Sequence, residues 1–183
     1  MKTYIALFRG INVGGKNALP MKELVAVLEN LGARNVKTYI QSGNAVFVSP
    51  EKETSQLSNK IRREIKKHRG FEPFVLLLEL KDLETVVRNN PFPAAAATEP
   101  QALHAGFLAA VPETPNLRQL ESLKSESERF ELIDQVFYLH APEGVGRSKL
   151  AARAEKLLGA PMTDRNWRTV CKILEMAQAL GQS

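Results

Sequence analysis

The sequence predicts an α+β protein built from two similar halves. In the first half, short β-rich runs alternate with segments of helical period in the order β-α-β-β-α-β, followed by a short helix. After residue 101 the order β-α-β-β-α recurs, but the chain then ends in helices where the first half has a strand. The β-α-β-β-α-β order is that of a split βαβ, or ferredoxin-like, unit. We therefore predict two related ferredoxin-like subdomains, the second one diverged.

In the first half, Pro20 suits the first turn of a helix and Gly32 suits its C-terminal cap. Leu57, Ile61 and Ile65 form the apolar stripe of a second helix. The residues Gln41-Ser42-Gly43-Asn44 separate two β-rich runs and predict a hairpin. The strands are expected at 3–9, 36–40, 45–48 and 73–79, and the helices at 20–31, 54–69 and 81–88.

Three prolines among small residues interrupt this pattern, which predicts a connector. The predicted domains are therefore a first subdomain at 1–90, a connector at 91–101 and a second subdomain at 102–183. In the second subdomain, strands are expected at 103–110, 129–133 and 136–140, and helices at 116–124, 148–158 and 164–180.

Composition excludes some classes of protein. A formal net charge of +5 makes anionic partners reasonable but does not bear on the fold. Cys171 is the single cysteine, so an internal disulfide is excluded and a reducing compartment fits best. The longest apolar run, 74–78, is too short to cross a bilayer. We expect a soluble cytoplasmic protein with no membrane partner.

The segment RGINVGGKN resembles the start of a phosphate-loop pattern. Asn17, however, occupies the position of the required Ser or Thr, and no helix can begin before Pro20. Two interpretations stay open: a looser anion cradle made of backbone N–H groups and side chains, or a plain polar turn. The candidate ligand-binding residues of the cradle are Arg9, Asn12, Gly14, Gly15, Lys16 and Asn17.

Three later stretches have similar chemistry. Ser42 and Asn44 flank a tight turn, which hairpin formation alone also explains. The segment PEGVGRSK places Arg147, Ser148 and Lys149 at a positive helix N-terminus, where an anion could bind; a Ser-capped helix with solvated bases is the alternative. In TDRNWRT, Thr163 is expected to cap the last helix, with its first turn presenting two further ligand-binding candidates, Arg165 and Asn166.

These motifs together carry a resemblance to a known family. RGINVGGKN, TYIQSGNAVF, PEGVGRSKL and TDRNWRTV occur in this order along the chain. The combination resembles the mostly bacterial family catalogued as domain of unknown function 1697, also described as SP0830-like. The resemblance spans nearly the whole chain and implies two related α+β subdomains. It implies no substrate, cofactor or catalytic residue.

Other site chemistries find little support in the sequence. His68, His104 and His140 have no metal-ligand spacing, so no metal site is expected. Cys171 is expected to be a small buried residue. The RNA-recognition pattern of a sheet platform, aligned on Gly43, lacks its three aromatic residues. A basic helix at 60–69 leaves contact with a nucleic-acid backbone as an alternative.

The function predicted from the sequence is binding of a phosphorylated or other anionic, nucleotide-like ligand in a cleft between the subdomains. The two alternatives are a nucleic-acid-binding protein that uses the basic helix and a protein-interaction module with no small ligand. The sequence designates neither a catalytic residue nor a cofactor, and it indicates no oligomeric state.

Overall fold

The computed structural model describes residues 1–181 of the 183-residue chain. The chain divides into two compact units, and each is considered by itself. Unit 1 consists of Met1–Thr85 and Lys172–Ser183, and unit 2 is Val86–Cys171. The domain limits predicted above, 1–90 and 102–183, stay a prediction. None of the helices described is long and apolar enough to cross a membrane.

Unit 1 contains one antiparallel sheet in the order β2-β3-β1-β4. In this sheet Tyr4 lies opposite Phe47 on one side and Glu79 on the other. The helices Leu80–Arg88 and Trp167–Gly181 extend across the boundary with unit 2. The elements are β1 (Lys2–Arg9), α1 (Met21–Asn30), β2 (Arg34–Tyr39), β3 (Asn44–Ser49), α2 (Thr54–Arg69), β4 (Phe74–Glu79), α3 (Leu80–Arg88) and α7 (Trp167–Gly181).

Unit 2 repeats this arrangement with the sheet order β6-β7-β5-β8. His104 occupies the place of Tyr4, opposite Leu139 and Asn166. Both sheets thus have the ferredoxin-like strand order, which confirms the predicted fold class. The elements of unit 2 are α4 (Pro93–Thr98), β5 (Leu103–Leu108), α5 (Leu117–Leu123), β6 (Arg129–Ile133), β7 (Val136–His140), α6 (Lys149–Leu158) and β8 (Met162–Asn166).

Each sheet packs one face against its own pair of helices. In unit 1, the predicted stripe of Leu57, Ile61 and Ile65 is buried in the same core as Tyr4 and Phe47. The equivalent core of unit 2 is formed by the buried residues Leu120, Leu150, Leu158, Phe137 and Leu139. The amphipathic periods seen in the sequence therefore mark the core-facing sides of these helices.

The last helix begins later than predicted. Residues 162–166 form strand β8, so the expectation that Thr163 caps a helix carrying Arg165 and Asn166 in its first turn was wrong. Asp and Asn are depleted in strands, and this strand exists because it pairs with β5 along its whole length. Asn166 is the residue that caps α7, since its Oδ1 accepts the Arg168 N–H at 3.1 Å.

The predicted connector contains a short helix, which was not expected from its proline-rich sequence. Helix α4 spans Pro93–Thr98, with proline at its first position and four alanines after it. Proline is favoured at the first helical position, and alanine has the highest helix propensity. The same composition that suggested a connector is thus compatible with a short helix.

Candidate functional site

The Gly-rich segment of unit 1 forms a small hairpin. Val13 and Lys16 form an isolated antiparallel bridge, in which the Lys16 N–H donates to the Val13 carbonyl at 3.2 Å. Gly14 and Gly15 have φ angles of +60° and +72°, the sign that a type I′ turn requires at both central residues. Helix α1 begins only at Met21. Lys16 is therefore a hairpin residue and not the first residue of a phosphate-binding helix.

This hairpin lies against the Gln41-Ser42-Gly43-Asn44 turn, so the first two motifs come together. The Asn12 side chain donates to the Gln41 carbonyl at 3.0 Å, and the Phe8 N–H donates to the Gly43 carbonyl at 2.8 Å. The amides of two other candidates also bond within these loops: Asn17 donates to the Gly10 carbonyl and Asn44 to the Tyr39 carbonyl. These asparagines shape the loops, and their role toward a ligand stays a prediction.

A pocket of about 410 Å³ lies within unit 2. It is bounded by the C-terminal end of α5, the turn before β6, the loop after β7 and the start of α6. The third motif supplies half of its lining. The lining residues are Ser122, Leu123, Lys124, Ser125, Glu128, Glu143, Gly144, Arg147, Ser148 and Lys149.

The start of α6 has the geometry of an anion-binding helix terminus. The Ser148 hydroxyl accepts the Ala151 N–H at 2.9 Å, so α6 is Ser-capped, as the alternative interpretation of this motif stated; its anion-binding role stays a prediction. The backbone N–H groups of Lys149 and Leu150 have no acceptor within residues 1–181. Unsatisfied amides and the helix dipole together make this end of a helix favourable for negative charge.

The charges around the pocket are of both signs. Arg147 and Lys149 are exposed and have no carboxylate within ion-pair distance in the described part of the chain. Lys124 pairs with Glu121 at 2.5 Å. Glu143 faces the same pocket, and its carboxylate accepts the Ser127 hydroxyl at 3.0 Å. The two free cations can therefore receive an anion without first breaking an ion pair.

Reasoning from the sequence missed Glu128, a buried carboxylate in the pocket wall. Its Oε2 accepts the Ser125 N–H at 2.9 Å. Ser125 and Glu128 have the Ser-x-x-Glu spacing of a capping box, in which a glutamate side chain reaches back to an N–H group. That spacing was the available signal for a tight turn at this place, although it does not predict a pocket.

The candidates of the fourth motif lie in β8 and are not part of the pocket lining. The Thr163 hydroxyl is buried and has no hydrogen-bond partner among residues 1–181. Burial of the Arg165 guanidinium lowers its pKa to about 10, although the neighbouring Asp164 carboxylate opposes this shift. Arg165 is therefore still a cation at neutral pH. Asn166 uses its side-chain amide to donate to the Gln101 carbonyl at 2.8 Å.

Comparison with known proteins places this chain in a family. Residues 1–138 match the family model described as protein of unknown function, DUF1697. The chain belongs to this family. It is also similar to the solved structure of the conserved bacterial protein SP0830 from Streptococcus pneumoniae, with 32% sequence identity and a TM-score of 0.69. That similarity covers 96% of this chain and 98% of the other. A search of curated proteins found no match.

The histidines of this DUF1697 chain form separate pairs with carboxylates. His104 lies 2.7 Å from Asp164, and His140 lies 3.0 Å from Glu99. His104 is paired with Leu139 across the sheet, so these two side chains share a face. His140 follows Leu139 along β7, and successive side chains of a strand point to opposite faces. The two imidazoles are therefore on opposite faces of the sheet. Within residues 1–181 no group of three or more potential ligands could hold a metal ion.

Cys171 departs from its expected placement, because it is exposed and not buried. Partial desolvation nevertheless raises the pKa of its thiol. A raised pKa leaves less thiolate, which is the nucleophilic form of cysteine. Cys171 therefore lacks the activation that a catalytic nucleophile requires.

The basic helix α2 is largely neutralised by carboxylates. Its cations form ion pairs within 4 Å, and a hydrogen bond from Lys60 lowers the pKa of Glu51 while one from His68 lowers that of Glu64. Within residues 1–181, Arg63 is the basic residue of this helix for which no such pair is present. The pairs are Lys60–Glu51, Arg62–Glu72, Lys66–Glu72, Lys67–Glu64, His68–Glu64 and Arg69–Glu23. Such pairing reduces the positive potential available to a nucleic-acid backbone.

Proposed function

We propose that this protein binds a small phosphorylated or otherwise anionic molecule in the pocket of unit 2. The observation that carries the proposal is the placement of Arg147, Ser148 and Lys149 in the wall of a cavity at the N-terminus of α6. Sequence reasoning selected the same three residues on chemical grounds. A nucleotide is one member of this class of ligands.

The physical basis of binding is the sum of three modest effects. Arg147 can donate two parallel N–H groups to a phosphate or carboxylate, and Lys149 adds a mobile positive charge. The Lys149 and Leu150 amides supply donors that need no reorganisation, because the Ser148 cap holds the helix start in place. Arg9, Lys16 and Arg165, selected from the other motifs, do not line this pocket, and their role toward an anion stays a prediction.

Removing Arg147 tests the proposal. We expect Arg147→Ala to weaken the binding of inorganic phosphate about tenfold, because a hydrogen bond to a charged group contributes about 1.5 kcal/mol or more. The matched control is Arg153→Ala, which removes an exposed arginine of α6 that is not part of the pocket lining. Isothermal titration calorimetry of the parent and both variants gives the three affinities.

Equal phosphate affinity in the Arg147→Ala and Arg153→Ala variants would contradict the proposed site. If the parent protein itself fails to bind phosphate or any phosphorylated probe, the interaction module without a small ligand becomes the better account.

The nucleic-acid alternative has its own test on α2. We expect the double variant Arg63→Glu, Lys67→Glu to bind phosphate as the parent does, since both residues lie in unit 1 and outside the pocket lining. The fold should tolerate the change, because exposed ion pairs contribute at most about 1 kcal/mol. Gel-shift assays with mixed-sequence DNA and RNA provide the second measurement. Strong polynucleotide binding by the parent that this variant abolishes would support the basic helix instead.

A further inference from the structure

Glu128 is a carboxylate that anion binding alone does not explain. The residue is 5% exposed, yet it is one of the residues that line the pocket. The Ser125 N–H accounts for Oε2, whereas Oε1 has no hydrogen-bond partner within residues 1–181 and is not sealed from solvent. No basic side chain in the described part of the chain forms an ion pair with it. A nearly buried carboxylate of the pocket lining thus has one oxygen without a donor in the described part of the chain.

Such a group favours a positively charged or N–H-bearing partner. Burial removes most of the water that would otherwise stabilise the charge, so buried carboxylates are normally paired or hydrogen-bonded. A phosphate alone in this cavity would instead be repelled by Glu128. Glu143, which lines the same cavity and is held by the Ser127 hydroxyl, adds to the negative side. The lining therefore combines two cations at the start of α6, Arg147 and Lys149, with carboxylates from the turn before β6 and the loop after β7.

We propose that the ligand of this pocket is a small zwitterion, whose anionic group binds at the start of α6 and whose ammonium group binds Glu128. This inference rests on the proposed function and narrows its ligand class to amino-bearing phosphates and related aminated anions. Among the described residues that line the pocket, Leu123 is the apolar one, and none is aromatic. A nucleobase would find no aromatic side chain of the lining to stack on, whereas a hydrophilic zwitterion needs none. The volume of about 410 Å³ leaves room for such a ligand to carry a larger body.

The test compares two probes that differ only in the amino group: O-phosphoethanolamine and ethyl phosphate, at neutral pH. We expect the parent protein to bind O-phosphoethanolamine about tenfold more tightly, as one charge-assisted hydrogen bond predicts. In Glu128→Gln this preference should disappear, while ethyl phosphate binds as well as before or more tightly. The glutamine can still accept the Ser125 N–H, so the turn is kept. Glu126→Gln, an exposed change in the same turn outside the lining, is the matched control.

The outcomes separate the two proposals. If the parent binds both probes equally, or if Glu128→Gln keeps the preference, the zwitterion inference is overturned and anion binding stands. If neither probe binds, anion binding fails and this inference fails with it. If ethyl phosphate binding is also lost in Glu128→Gln, the melting temperature shows whether this variant is folded. Loss of ethyl phosphate binding in a folded variant overturns the inference, because removal of a negative charge should not weaken anion binding. If the variant is unfolded, Glu128→Asp replaces it: this change withdraws the carboxylate by one methylene, so a reduced preference supports the inference and an unchanged preference overturns it.

Discussion

Gly43→Ala should be among the most destabilising single changes in unit 1. A Cβ atom at this position would lie 2.6 Å from Ile11 Cδ1 and 2.7 Å from Phe8 Cβ, both far inside van der Waals contact. The φ angle of +84° adds backbone strain for any residue with a Cβ. Left-handed strain of about 1–2 kcal/mol and overpacking of about 1–3 kcal/mol give an expected loss of about 2–4 kcal/mol.

The control for this prediction is Gly70→Ala, at the C-cap of α2. Gly70 has a similar φ of +76°, but a Cβ there would meet nothing within 4 Å. Gly70→Ala should therefore lower the free energy of unfolding only by the backbone strain, about 1 kcal/mol. Urea denaturation of the parent and both variants measures the difference. Equal losses would show that the Gly43 turn is not closely packed on Ile11, and the contact between the first two motifs would lose its main support.

Stability should fall at alkaline pH through the ionisation of Tyr138. Burial raises the pKa of this phenol to about 12, with a smaller contribution from the Asp134 carboxylate, and its hydroxyl donates to the Val86 carbonyl at 2.8 Å. The unfolded chain has the ordinary tyrosine pKa of about 10. Because the folded state favours the protonated phenol, this contribution is complete below pH 10 and is lost as the pH rises toward 12. The loss should reach about 2 kcal/mol.

Tyr138→Phe tests this ionisation directly. We expect the variant to lose about 0.5–1.5 kcal/mol at neutral pH with the buried hydrogen bond, but to be less sensitive to alkaline pH than the parent. Tyr39→Phe is the control, since Tyr39 is half-buried and its hydroxyl makes no hydrogen bond within residues 1–181. The free energy of unfolding as a function of pH, followed together with tyrosinate absorbance, measures the effect. Parallel pH profiles for the parent and Tyr138→Phe would refute this role.

The sequence predicted the fold where one segment contains its own signal. The stripe of Leu57, Ile61 and Ile65 marked the buried side of α2, and Ser148 before a helical run marked the start of α6. Helical period and capping involve residues within a few positions of each other, so a single segment is sufficient to reveal them. The repeated order of elements then predicted two ferredoxin-like units, and both sheets have that strand order.

Strand β8 required information from elsewhere in the chain. Met162–Asn166 has little strand propensity of its own, and it becomes a strand because β5 offers it a partner along five residue pairs. Backbone pairing between distant segments can outweigh local preference, since each strand is stabilised by its neighbours. The same reason explains why the cap of α7 is Asn166 and not Thr163.

The sequence by itself determined the chemistry of the candidate site, and the tertiary structure decided which groups meet. Arg147, Ser148 and Lys149 could be selected from their position before a helix, because cap and dipole are local properties. Glu128 could not be selected in this way. Its burial and its place in the lining of the same cavity depend on how the turn before β6 packs beside α6. Likewise, the basic residues of α2 can be read from that segment alone. Their ion pairs with Glu23, Glu51 and Glu72 cannot, because these carboxylates lie outside the helix. The charge of a side chain follows from the residue type. Whether an opposite charge neutralises it depends on the distance between the two groups, which only the folded chain sets.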